Sequence, residues 1–100
     1  VSLQQLEESI VRWGHDKGIL PDPDPLAQFA KTLEEVEELA EAIVDNNVEE
    51  VKDAIGDIIV TLIMQADAWD TSIETCLQGA YDEIKNRKGK MVNGVFVKDA

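Results

Sequence analysis

A chain of 100 residues with 21 acidic and nine basic side chains carries a formal charge of −12, a field that repels nucleic-acid backbones and anionic membranes as partners. A composition 44% hydrophobic and 30% charged is that of a folded domain rather than a disordered tail. One cysteine, Cys76, offers neither an intramolecular disulfide nor a zinc spacing; with no leader pattern and no run of about 18 apolar residues, the expectation is a soluble cytoplasmic protein.

Leu3, Leu6, Ile10 and Trp13 recur at helical spacing and predict a first helix over 2–18, opened by Ser2 and closed by Gly18. Trp13 reads first as core and second as a platform for a base, and His15 is expected in solvent. The prolines of LPDPDP forbid regular helix or central strand between Leu20 and Pro25. Asp24 and Pro25 then start a second helix over 25–45 with an apolar stripe of Phe29, Leu33, Val36, Leu39, Ala40, Ile43 and Val44. After the Asn46-Asn47 turn, Asn47 caps a third helix over 48–69, with Glu50 at the capping-box position. Ile55, Ile58, Ile59, Val60, Leu62, Ile63 and Met64 lie all round that helix, which predicts a central helix or one covered by another subunit.

Thr71 to Glu74 reads as a further capping box, opening a fourth helix over 72–87 with Leu77, Ala80, Tyr81 and Ile84 inward. The tail, 88–100, is valine-rich around Asn93-Gly94, the signal of a two-residue hairpin turn. A lone hairpin is marginal, so it is expected to dock on the bundle or on a neighbour. The expected fold is a single all-α domain over 1–100, four-helix-bundle-like, with a short C-terminal hairpin tail.

The second helix carries Glu34, Glu35, Glu37, Glu38 and Glu41. Glu34, Glu37 and Glu41 sit opposite the apolar stripe and read as a solvated face, whereas Glu35 and Glu38 flank Leu39. The third helix presents Glu50, Asp53 and Asp57 on one face, and Asp57 enters the apolar run. A short turn makes the two helices antiparallel neighbours, so Glu35 and Glu38 face Asp53 and Asp57. Converging carboxylates repel one another, and a hard divalent cation such as magnesium or manganese relieves them. A single histidine disfavours zinc or a histidine-containing di-iron site. Lys85, Arg87, Lys88 and Lys90, with Asn86, gather at the end of the fourth helix. They read either as favourable charge on the helix C-terminus or as a phosphate site.

TLEEVEELAEAI, then DAIGDIIVTL, then YDEIKNRKGKMVNGVFVKD resemble the MazG-like nucleoside triphosphate pyrophosphohydrolases along essentially the whole chain. The ending KGKMVNGVFVKD is similar to small single-domain members found in phages and mobile elements. The resemblance implies a MazG-type all-α fold and hydrolysis of a (deoxy)nucleoside triphosphate to a monophosphate and pyrophosphate, with Mg2+, or Mn2+ in its place. Glu34, Glu35 and Glu38 match the EExxE motif. The downstream ExxD motif places its aspartate on Asp57 but its glutamate on Ala54, so that Asp53 or Glu50 supplies the missing carboxylate. The alternative alignment takes Glu50 and Asp53 as ExxD. The implied catalytic set is Glu34, Glu35, Glu38 and Asp57, and the implied metal set is Glu35, Glu38, Glu50, Asp53 and Asp57. Lys85, Arg87 and Lys88 are candidates for phosphate, Asn86 for phosphate or base, and Trp13 or Trp69 for stacking on the base. The family also implies a homodimer or a homotetramer built as a dimer of dimers, serving to cleanse nucleotide pools.

Two rivals differ in kind. A non-catalytic acidic helical module that binds a protein explains the charge but not Asp57 in an apolar run. An all-α enzyme related to dUTPases shares the carboxylate logic and differs in substrate.

Overall fold

Four helices start where a side chain replaces a missing backbone acceptor. The computed structural model describes residues 1–100. Ser2 Oγ accepts from the Gln5 N–H at 3.1 Å while Gln5 Oε1 accepts from the Ser2 N–H at 2.8 Å, a full capping box for α1 (Leu3–Asp16). Asp24 Oδ1 accepts from the Leu26 and Ala27 amides, with Pro25 in the first turn of α2 (Pro25–Val44). Asn47 Oδ1 accepts from the Glu50 N–H to open α3 (Val48–Ala68).

For α4 (Ile73–Ile84) the cap is Ser72, whose Oγ accepts from the Thr75 N–H at 3.1 Å. The expected Thr71–Glu74 box is displaced by one residue, because the Glu74 amide is taken by a distant carboxylate, Glu7. α4 also stops at Ile84 rather than Arg87, in a turn where the Arg87 N–H bonds the Ile84 carbonyl. At the other end of the chain, α1 ends at Asp16 and Gly18 takes φ +79, where a residue without Cβ is unstrained.

α2 and α3 form the principal antiparallel pair, turned at Asn46 with φ 56. Across their seam Thr32 Oγ1 donates to Thr61 Oγ1 at 2.8 Å, and Gln65 Nε2 donates to the Pro25 carbonyl at 2.9 Å. These bonds fix the register of the two helices. α1 crosses α3 at Gly14: a Cβ there would meet Met64 Cε at 2.8 Å and Leu20 Cδ1 at 3.1 Å. Met64 is the most buried side chain of the chain, so the glycine is what lets the α1 backbone approach it.

The start of α4 is clasped by α1. Glu7, itself buried, accepts from the Ile73 N–H at 2.7 Å and the Glu74 N–H at 3.2 Å. Beyond that clasp α4 buries no residue, and its expected inner face is open: Leu77 and Tyr81 are each 56% exposed and Ile84 51%. α3 is covered by α1 and α2 at Ala54, Thr61, Ile63, Met64 and Ala66, yet Ile55 and Ile59 remain exposed.

The tail forms β1 (Gly89–Val92) and β2 (Val95–Lys98), an antiparallel hairpin pairing Gly89 with Lys98 and Val92 with Val95. Its turn has Asn93 and Gly94 both at positive φ, as the Asn-Gly pair predicts. Every strand residue is exposed, so within one chain the hairpin docks on nothing. The radius of gyration, 15.8 Å against about 13 Å for a compact domain of this length, reflects the outlying α4 and hairpin. No helix is long and apolar enough to cross a membrane.

Candidate metal centre

Thr32, Glu35, Leu39 and Ala42 recur at helical spacing on the side of α2 that meets α3, and a glutamate in such a row is carried into the seam. Glu35 is 7% exposed. Its Oε1 lies 3.5 Å from the Lys31 ammonium, while Oε2 is buried without any hydrogen-bond partner. A buried carboxylate oxygen left unpaired is costly, and natural interiors seldom keep one without a ligand or ion to answer it.

Glu38, one turn on, and Asp57, across on α3, supply what surrounds it. One carboxylate oxygen from each of Glu35, Glu38 and Asp57 can be chosen so that all three lie within 4.8 Å of one another. Glu38 has its pKa pushed up from the ordinary glutamate value. The first cause is the hydrogen-bonding proximity of its carboxyl to Glu35, followed by Coulombic repulsion from Glu35 and by desolvation, with Asp57 adding to it and Lys31 opposing it. Lys31 has its pKa raised, first by its hydrogen bond to Glu34 and then by that carboxylate's charge. The cluster is therefore short of positive charge, and Lys31 is the only cation of the chain that pairs with it.

The donor set fits a divalent cation with a preference for oxygen. Three carboxylates, one of them buried and half unsatisfied, suit magnesium or manganese, whose remaining positions are filled by water or by substrate oxygens. No histidine or thiol belongs to the group, which argues against zinc.

The other expected residues fall elsewhere. Glu50 lines a hollow of about 420 Å³ together with Glu38, Glu41, Ala42, Asp45 and Asn47, so it borders the cluster without entering it. Asp53 is exposed and outside the group. The register that sets Thr32 against Thr61 goes with Asp57 meeting Glu35 and Glu38, and leaves Asp53, one turn earlier on α3, outside the group. Ala54, the position where the ExxD motif expects a glutamate, is buried at 4% exposure. Glu34 points away from the seam to Lys31 at 3.1 Å.

Lys85 bonds Asp82 at 3.2 Å, and Asn86, Arg87 and Lys88 follow α4 in solvent, none of them paired with the cluster. Trp13 is 44% exposed on α1. Lys31 was not singled out from the sequence. Its spacing, three before Glu34 and four before Glu35, is the signal that finds it.

The profile of the MazG nucleotide pyrophosphohydrolase domain matches residues 24–92, which takes in α2, α3, α4 and the first strand. An uncharacterized 18.2 kDa protein from the rep-hol intergenic region of Haemophilus phage HP1 is 38% identical over 64 residues, covering 64% of this chain and 39% of that protein. The chain thus spans about two fifths of the length of that relative. No solved structure matches it. The matched segment holds all three carboxylates of the cluster, and with more than half of the sequence inside it the chain belongs to the MazG nucleotide pyrophosphohydrolase family.

Proposed function

We propose that the chain is a divalent-cation-dependent nucleoside triphosphate pyrophosphohydrolase, cleaving (d)NTP between the α- and β-phosphates to release (d)NMP and pyrophosphate. The observation that carries this reading is the buried Glu35 oxygen without a partner, set beside Glu38 and Asp57 inside the family's matched segment. Glu35, Glu38 and Asp57 would hold the cation, with Glu50 facing them across the neighbouring hollow. Bound there, Mg2+ or Mn2+ supplies Lewis-acid activation of water and neutralises charge on the triphosphate.

The protein's own part is positional. Glu38 and Asp57 fix the centre from two helices whose register is locked by the Thr32–Thr61 bond, so the carboxylates need little rearrangement. Glu34, paired with Lys31 beside the cluster, orients ligand or water. A chain of charge −12 repels a free triphosphate, and the cation is what turns that repulsion into binding. Asn86, Arg87 and Lys88 are the phosphate contacts, and Trp13 is the base contact. They serve the centre in a homodimer or dimer of dimers. The exposed apolar faces of α4 and the hairpin support that assembly.

The test is pyrophosphate release from a panel of ribo- and deoxyribonucleoside triphosphates, with Mg2+ and with chelator. Metal-dependent release that is lost in Asp57→Asn, with the helical circular dichroism unchanged, is the expected result. Chelator-resistant release, or full activity in Asp57→Asn, would remove the centre from the reaction. Absence of release from every substrate, with Mg2+ bound, would favour a non-catalytic acidic module.

A further inference from the structure

Lys31 lies one turn before Glu34 and Glu35 and reaches both, with its Nζ 3.1 Å from Glu34 Oε2 and 3.5 Å from Glu35 Oε1. The two oxygens of Glu35 are therefore divided: one is held by an ammonium of the same helix, and the other is buried without a partner. A cation drawn to Glu35, Glu38 and Asp57 must come close to that ammonium. Two positive charges then bear on one buried carboxylate. The Lys31 side chain is 56% exposed and already has a second anchor in Glu34, whose side chain is 66% exposed. Lys31 can thus leave Glu35 without becoming unpaired.

From this arrangement we infer that Lys31 is a built-in counter-ion of the centre, which occupies Glu35 in the metal-free protein and weakens divalent-cation binding by competing for it. Glu34 is the position to which Lys31 retires when the cation enters. The inference rests on the metal-centre reading above and adds a residue that sets the affinity of that centre. Lys31 is a positioning residue and takes no part in bond making.

Isothermal titration of Mg2+ into the metal-stripped full chain tests this without any turnover. Lys31→Gln is expected to tighten Mg2+ binding by about three- to tenfold, the size of one partly screened unit charge acting on a divalent ion at close range. Lys31→Arg keeps the charge and is expected to hold the wild-type Kd. Lys52→Gln is the control: it removes the same charge from the Glu49 pair on α3, outside the cluster, and should leave the Kd within twofold of wild type. An unchanged or weaker Kd in Lys31→Gln while the wild type binds Mg2+ would overturn the counter-ion role alone. Equal tightening in Lys52→Gln would reduce the effect to net charge and overturn it as well. Failure of the wild type to bind Mg2+ or Mn2+ at millimolar concentration would instead remove the centre itself, and the inference with it.

Discussion

Replacing Glu35 by glutamine should raise stability and abolish metal linkage together. In the metal-free fold Glu35 keeps one buried oxygen without a partner, at a cost of about 1–3 kcal/mol. The glutamine amide gains two donors amid the oxygens of Glu38 and Asp57, which lie within 4.8 Å of one of its own, and removes a like charge from the cluster. The Lys31 contact that is lost lies on a solvated side chain and offsets little of this. A net gain of about 1 kcal/mol moves Tm up by roughly 4–8 °C in a domain of this size.

The wild type behaves in the opposite sense once the cation is added. At a free Mg2+ concentration of 100 times Kd it should gain about 2.7 kcal/mol, or roughly 10–20 °C, whereas Glu35→Gln should gain almost nothing. The order of stability therefore inverts: the variant melts higher in chelator and the wild type melts higher in Mg2+. Thermal melts by circular dichroism at one protein concentration read all four states. A variant less stable than wild type in chelator would refute the orphaned-oxygen account, and equal Mg2+ shifts in both proteins would refute Glu35 as a ligand.

The raised pKa of Glu38 predicts a pH dependence of the metal-free protein. Because the folded value lies above the unfolded one, this contribution is complete below the ordinary glutamate pKa and is lost as pH rises through the raised value. Denaturant melts in chelator between about pH 4 and pH 7 should show wild type falling relative to Glu38→Gln, and Mg2+ should suppress the difference. Gly14→Ala sets a helix-propensity gain of up to about 1 kcal/mol against about 1–3 kcal/mol of overpacking where the new Cβ meets Met64 Cε and Leu20 Cδ1, so a modest net loss is expected, seen in a melt as a lower Tm with Mg2+ linkage retained. Light scattering should find the wild type as a dimer or tetramer, and Tyr81→Glu on the open face of α4 should drive the mass toward that of one chain. A monomeric wild type would refute the proposed assembly.

Much of the fold was legible because its punctuation is local. Ser2, Asp24 and Asn47 each satisfy amides within three residues, and Asn93-Gly94 needs only its own two positive φ values. The meeting of Glu35, Glu38 and Asp57 was also legible, since a short turn and helical periodicity suffice to bring them together. What was not legible depends on distant or exact placement. The Glu74 amide belongs to Glu7, 67 residues earlier, and no local pattern announces that bond. Asp53 lies one turn from Asp57, about 6 Å along the axis, and only the register between α2 and α3 decides which of the two meets the glutamates. The open face of α4 looked like an inner face because periodicity reports that a stripe is apolar, and says nothing of what covers it.

The Glu7 clasp has a consequence for how this protein tolerates being shortened or recombined. The segment that matches the family begins at residue 24 and includes every carboxylate of the centre, yet the side chain that closes the start of α4 comes from α1, outside it. A fragment cut at the family boundary would keep the ligand set and the Ser72 cap but lose the carboxylate that holds the Ile73 and Glu74 amides, loosening the start of the helix that leads to Arg87 and Lys88. Exchange of α1 between relatives is therefore constrained at one position more than packing alone requires: whatever replaces it must bring a carboxylate to the amides of Ile73 and Glu74.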